Sequence, residues 1–212
     1  MALKPYRTLL KRDQSEYIVN KSRFISTAAP VETEEEALRF LAEIREKYRD
    51  ASHNCYAYII GENMGIMRYS DDGEPGGTAG MPIIEVMRAR QIVNSCVIVT
   101  RYFGGILLGA GGLVRAYSRS AADGIDAAGI GVMHPTARYL MDADYALLDR
   151  LLYFLKDKPV LIEDKSFSSV VTVTLLVRTA DEENVIGGIV SALDGRVEPM
   201  RFEEFYMAWP AE

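Results

Sequence analysis

The sequence predicts an α+β protein of two domains. Three observations carry that reading: short β-branched runs interleave with amphipathic helical stretches, a glycine- and proline-marked break falls near Thr136, and the segment beyond it follows a strand-helix-strand-strand-helix-strand order. The 212 residues are ample for two domains, and 49% hydrophobic with 25% charged residues is ordinary for a globular chain.

The elements follow in order. Tyr17–Val19 and Arg23–Val31 read as the first strands. Thr33-Glu-Glu-Glu36 matches a capping box, and the helix it opens carries Leu38, Leu41, Ile44 and Tyr48 on one stripe. His53–Ile60 and Gly65–Tyr69 are strands joined by the turn-prone Gly61-Glu-Asn63. Ile83–Arg90 is helical. Ser95–Phe103 is apolar and β-branched, the mark of a central strand buried on both faces. Leu113, Tyr117, Ala121, Ile125 and Ala128 define a long helix. Gly129-Ile-Gly131 and His134-Pro135 then punctuate the chain, dividing it into domains 1–136 and 137–212. The second domain reads as strand Arg138–Ala143, helix Tyr145–Lys156, strands Val160–Lys165 and Ser168–Val177, helix Asp181–Leu193 and strand Arg196–Tyr206. Thr179-Ala-Asp-Glu182 is a second capping box. This βαββαβ order is the ferredoxin-like arrangement.

Charge is uneven. The net −6 includes −6 from residues 137–212 alone, whereas residues 64–120 carry +2. That pattern points to a local anionic partner and away from a protein that coats DNA. No window supplies the ~18 consecutive apolar residues of a membrane helix, and the basic N-terminus lacks the apolar core of a secretory signal. The expectation is a cytoplasmic protein that does not engage a membrane. Cys55 and Cys96 lie in apolar strands and read as buried hydrophobes. Two histidines are too few for a recognisable zinc site, so neither metal nor cofactor is expected.

Two glycine-rich runs carry whatever chemistry exists. In Ser70–Pro82, Asp71, Asp72 and Glu74 sit among turn formers; they read either as a turn or binding loop, with amides at Gly76, Gly77 and Thr78 free to grip a main chain or a phosphate, or as magnesium or acid-base carboxylates. In the second run, Arg101 is placed at the end of a buried strand with its guanidinium emerging at the sheet edge, followed by Tyr102, Phe103, Gly104 and Gly105. Gly109, Gly111 and Gly112 precede a helix bearing Arg115 and Arg119 one turn apart. Close helix packing and anion binding both fit these glycines. Walker A fails because Ala110-Gly111 stands where Lys-Ser/Thr belongs, and the dinucleotide fingerprint fails at Val114. His53 and Cys55 share a strand face with Cβ atoms ~6.5–7 Å apart by the strand rise, too far for a thiolate-imidazole pair, and read as packing. No Gly-x-Ser-x-Gly elbow occurs.

SRFI at Ser22–Ile25, HNCYAY at His53–Tyr58, SDDGEPGGTAGMPI at Ser70–Ile83 and VIVTRYFGGILLGAGGLVRAYS at Val97–Ser118 together resemble the IMPACT family, in its bacterial two-domain YigZ/YvyE-type form. The resemblance spans nearly the whole chain. It implies an N-terminal domain like domain 2 of ribosomal protein S5 and a C-terminal domain like domain V of elongation factor G. Eukaryotic members restrain a translational-control kinase by competing for its activating partner; that pathway is eukaryotic, so the specific role does not transfer. Some members carry a peptidase label, for which these residues supply neither metal cluster nor nucleophile. The expectation is a non-enzymatic binding or regulatory protein linked to translation through RNA, the ribosome or a protein factor. Its surface would comprise Arg68, Asp71, Asp72, Glu74, Gly76, Gly77, Thr78, Arg101, Tyr102, Phe103, Gly104, Gly105, Arg115 and Arg119. The alternative is a nucleotide-binding protein or enzyme that uses residues 104–112 as a phosphate cradle.

Overall fold

The computed structural model describes residues 3–209. By contact it divides into Tyr6–Val132 and a second unit formed by the residues from Met133 onward with the N-terminal stretch up to Pro5. Both are α+β, and from Asp13 onward the strand pairings are antiparallel. No helix among the described residues is long and apolar enough to cross a membrane.

The first unit begins with a short strand β1 (Tyr6–Leu9), whose Arg7 carbonyl accepts from Val93 N–H. Its main sheet joins β2 (Asp13–Val19), β3 (Ser22–Pro30), β4 (His53–Ile60), β5 (Ile66–Ser70) and β6 (Ser95–Tyr102) in the order β2-β3-β6-β4-β5. As the apolar run predicts, β6 is central, and Ser95–Arg101 are all buried. Helix α1 (Glu34–Lys47) covers one face, packing Phe40, Leu41 and Ile44 against Tyr58, Ile60, Cys96 and Ile98. Helices α2 (Gly80–Ala89) and α3 (Gly109–Ala128) cover the other, where Ile83, Met87, Tyr117 and Ile125 meet Phe24, Cys55, Ala57, Val97 and Val99. Strand alternation sends odd-numbered β6 residues toward α2 and α3 and even-numbered ones toward α1.

Two expectations change here. Thr33 caps α1 by accepting from Glu36 N–H, but Glu36 reaches past it to the Glu32 amide, so the box closes one residue early. The buried stripe is Ala37, Phe40, Leu41 and Ile44, and Leu38 is exposed. Ala37 opens the i, i+3, i+4, i+7 series, but its small side chain gives little hydrophobic signal.

The second unit follows the expected element order: β7 (Ile130–Ala143), α4 (Tyr145–Leu155), β8 (Val160–Phe167), β9 (Val171–Arg178), α5 (Glu182–Ala192) and β10 (Met200–Ala208). Its sheet has five strands, of which four lie in the order β10-β7-β9-β8. Alternate residues of β7 and β9, among them Tyr139, Met141, Val173 and Leu175, pack under Leu147, Leu151, Val185 and Ile189. On the face away from that core, Arg138 is gripped by Glu163 and Glu203. Of the punctuation at Gly129–Pro135, Gly129 ends α3, but β7 runs on through Ile130–Pro135, and β9 pairing starts at Thr136, just after the proline. The second capping box also fails. Glu182 accepts from Tyr139 and Arg201 instead of reaching back, Thr179 Oγ donates to the Pro135 carbonyl, and the N-cap Asp181 accepts from Arg178 and makes no side-chain capping bond.

Candidate functional site

The loop from β5 to α2 is built around three carboxylates that face three ways. Asp71 accepts from Gly77, Ala79 and Gly80 amides at 2.9, 3.0 and 2.8 Å, placing a negative charge on the positive end of α2. Gly80 permits this closeness, since a Cβ there would lie 2.7 Å from the Ser70 carbonyl. Asp72 accepts from Asn54 N–H (2.6 Å) and Arg45 (2.8 Å), and its own carbonyl receives His53 Nδ1–H at 2.8 Å. Glu74 turns inward and is buried; its Oε1 accepts from Arg101 Nη1 at 2.6 Å and Tyr117 hydroxyl at 2.7 Å. His53 Nε2 lies 3.9 Å from the same oxygen.

Arg101 therefore does not emerge at the sheet edge. It is 5% exposed, sandwiched near the rings of Phe24 and Phe103, with Nη2 on Ser22 Oγ and Nε unpartnered. The odd-numbered position sends it under α3, where only a carboxylate makes its burial tolerable. The orphan Nε costs about 1–3 kcal/mol. Burial is also the first cause that drives Tyr117 far above its ordinary pKa, with the adjacent Cys55 and Glu74 adding to it. Cys55, whose thiol donates to the Asp71 carbonyl at 3.0 Å, is likewise pushed up to about 12, mainly by burial.

Two of the three amides expected to be free in the first loop are occupied. Gly77 N–H is on Asp71, and Thr78 N–H and hydroxyl both donate to the Pro75 carbonyl; Gly76 is exposed. In the second run, Gly104 is a close-approach position: its N–H donates to Ser22 Oγ, and a Cβ would fall 2.0 Å from the Lys21 carbonyl carbon. Gly105 takes φ +81 with open space around it.

The two loops converge. Gly73, Glu74 and Pro75 from the first and Phe103, Leu107, Leu108, Gly109 and Ala110 from the second line one cleft of about 500 Å³, with His53 and Arg101. Other candidates lie elsewhere. Arg68 is exposed on β5 opposite Tyr58, the α1 side of the sheet, 3.9 Å from Glu34. Tyr102 points to Asp50. Arg119 is paired with Asp123, and Arg115 is exposed. No group of three His, Cys, Asp or Glu side chains among the described residues is placed to hold a metal ion. A second depression, also about 500 Å³, lies in the other unit, but its Arg178, Glu182, Arg201 and Glu204 are engaged in ion pairs.

His53, which the sequence places in packing, and Tyr117, which it places on the stripe of the long helix, are part of the cleft's polar network. Their partner, Glu74, stands 21 residues from one and 43 from the other along the chain.

A two-unit α+β chain whose first unit builds such a cleft from paired glycine loops defines a class that the comparisons make specific. The Impact N-terminal domain matches residues 20–125 and the Domain of unknown function (DUF1949) matches residues 141–196. The chain is 42% identical to IMPACT family member YvyE of Bacillus subtilis over 78% of its own length and 76% of that protein. It is 36% identical to Protein IMPACT of Mus musculus over 42% of its length, a match covering 29% of the mouse protein. The crystal structure of a protein described as hypothetical superimposes with TM-score 0.61 at 25% identity, over 95% of this chain and 99% of that one. The chain belongs to the IMPACT family.

Proposed function

We propose that the protein is a non-enzymatic regulator that docks on a protein component of the translation machinery through the α3 side of the cleft. The carrying observation is that the reactive groups around the cleft are already engaged: Asp71 holds three amides, Glu74 holds Arg101 and Tyr117, and the Cys55 thiol is buried and raised. A nucleophile needs an adjacent base, and the cleft's imidazole, His53, is directed at the Glu74 carboxylate. Beside the cleft stand Phe103, Ile106 and Leu107, the last 84% exposed, a cluster suited to burial against another protein.

A protein partner is favoured over RNA. Of the four arginines of the expected surface, Arg101 is buried with Glu74, Arg119 is paired, and Arg68 lies on the α1 side of the sheet. That leaves Arg115, too little for the multiple phosphate contacts that drive RNA affinity. The translation link rests on the regulatory part played by eukaryotic IMPACT proteins. It is joined to our reading of the two domains, meeting near residue 136, as S5 domain 2-like and ferredoxin-like in the manner of elongation factor G domain V. Two free, buried cysteines fit a cytosolic setting. Affinity capture from lysate with and without RNase tests this: translation proteins retained after RNase support it, and partners lost on RNase treatment contradict it. The bare N-terminus of α3 favours a second reading, a nucleotide site, which thermal stabilisation by ATP or GTP with magnesium would establish.

A further inference from the structure

The helices of the first unit treat their positive ends differently. Helix α1 begins with Glu34, Glu35 and Glu36, and α2 receives Asp71. Helix α3, 20 residues long, has no acidic residue in its first turn, and its N-cap Leu108 offers no side-chain acceptor. Its first residues, Gly109 and Ala110, line the cleft. Three further observations bear on the charge at that end. Arg101 lines the same cleft, nineteen-twentieths buried, with its Nε donor unpartnered. Arg115 stands exposed against the first turn, its Nη1 3.6 Å from where a Cβ on Gly111 would lie, and in no ion pair among the described residues. The carboxylate that lines the cleft, Glu74, is neutralised by Arg101. Donors and positive potential thus meet an apolar lining of Phe103, Leu107, Leu108 and Leu113.

We propose that this cleft captures the C-terminal residue of a partner polypeptide when that residue is apolar. The α-carboxylate caps α3 at the Gly109–Gly112 turn, and the side chain packs on Leu107, Leu108 and Phe103. A single negative charge adjoining an apolar group matches this lining. A polyphosphate brings several charges to a site with one unpaired arginine, and its polar body would face leucine and phenylalanine. The inference rests on the reading that this face docks a protein, and it names what is docked.

The test uses the full chain and acetyl-Ala-Ala-Leu as free acid and as C-terminal amide, followed by calorimetry and by backbone amide shifts. The acid should bind at least about tenfold more tightly than the amide, because hydrogen bonds to a charged group are the stronger kind. Shifts should centre on Gly109–Gly112, and ending the peptide in glycine should weaken it. Ala110→Asp supplies a competing carboxylate to the exposed first turn and should abolish the acid's advantage without harming the fold; Arg115→Ala should weaken acid binding alone. Equal binding of acid and amide, no binding by either, shifts at Gly77–Gly80 instead, or undiminished binding by Ala110→Asp would each overturn the proposal. If peptides fail while RNase-resistant capture of translation proteins persists, the C-terminal occupant is wrong and the docking role stands. If the acid binds but capture fails, the docking role falls.

Discussion

Both glycine-rich loops of the first unit lead into a helix, but the chain closes one helix end and leaves the other open. Asp71 folds back on Gly77, Ala79 and Gly80, so the Ser70–Pro82 loop satisfies the amides at the start of its own helix. The Arg101–Gly112 run carries no carboxylate, and α3 opens with bare amides at the cleft. Glycine richness alone therefore does not mark a binding loop. What separates the two is whether an acidic side chain lies within reach of the turn. The first loop closes its own helix end and lends Gly73, Glu74 and Pro75 to the cleft; the second leaves its helix end open there.

Several substitutions break or sharpen that contrast. The largest effect should come from Glu74→Ala, which leaves Arg101 charged, buried and unpaired and strips Tyr117 of its acceptor. Denaturant unfolding should show a loss of about 3–5 kcal/mol; a loss under 1 kcal/mol would mean that the buried pair is not formed. Asp71→Ala should cost about 2 kcal/mol by removing charge-assisted bonds to three amides, and should loosen the first loop while sparing binding at α3.

Alkaline pH probes the same core. Folded Cys55 is raised to about 12 from an ordinary 9.0, so the folded state keeps a proton that the unfolded state releases. Its contribution is fully present below pH 9 and declines as pH rises toward 12, at up to about 1.4 kcal/mol per unit. Relative to Cys55→Ala, the parent should lose stability above pH 9, and a parallel pair of profiles would contradict the burial of that thiol. At the open end, Ala110→Asp should gain about 0.3–1 kcal/mol, because a carboxylate finally meets the α3 amides. Replacing Arg119 by alanine should change stability by less than ~0.5 kcal/mol, its ion pair with Asp123 being exposed.

Much of the fold was legible because its signals are local. The apolar β-branched run around Val97–Val99 marks the central strand, and the alternation of the second unit gives its element order. Short β1 was missed because Tyr-Arg-Thr-Leu carries too little pattern to stand out from a basic N-terminus. The site was less legible because its partners are distant in sequence. Arg101 looks like a charge leaving a strand until Glu74 is brought beneath it. His53 and Tyr117 sit in apolar patterns whose parity is right but whose polar ends meet only in the folded chain. The second capping box had the correct letters, but Tyr139 and Arg201 compete for Glu182.

The most direct test of the open α3 end as the docking surface is affinity capture with parent and Ala110→Asp chains from RNase-treated lysate, with bound proteins identified by mass spectrometry. Translation-machinery proteins should be held by the parent and lost from the equally folded variant. The same proteins on both chains, or none on the parent once RNA is removed, would contradict it.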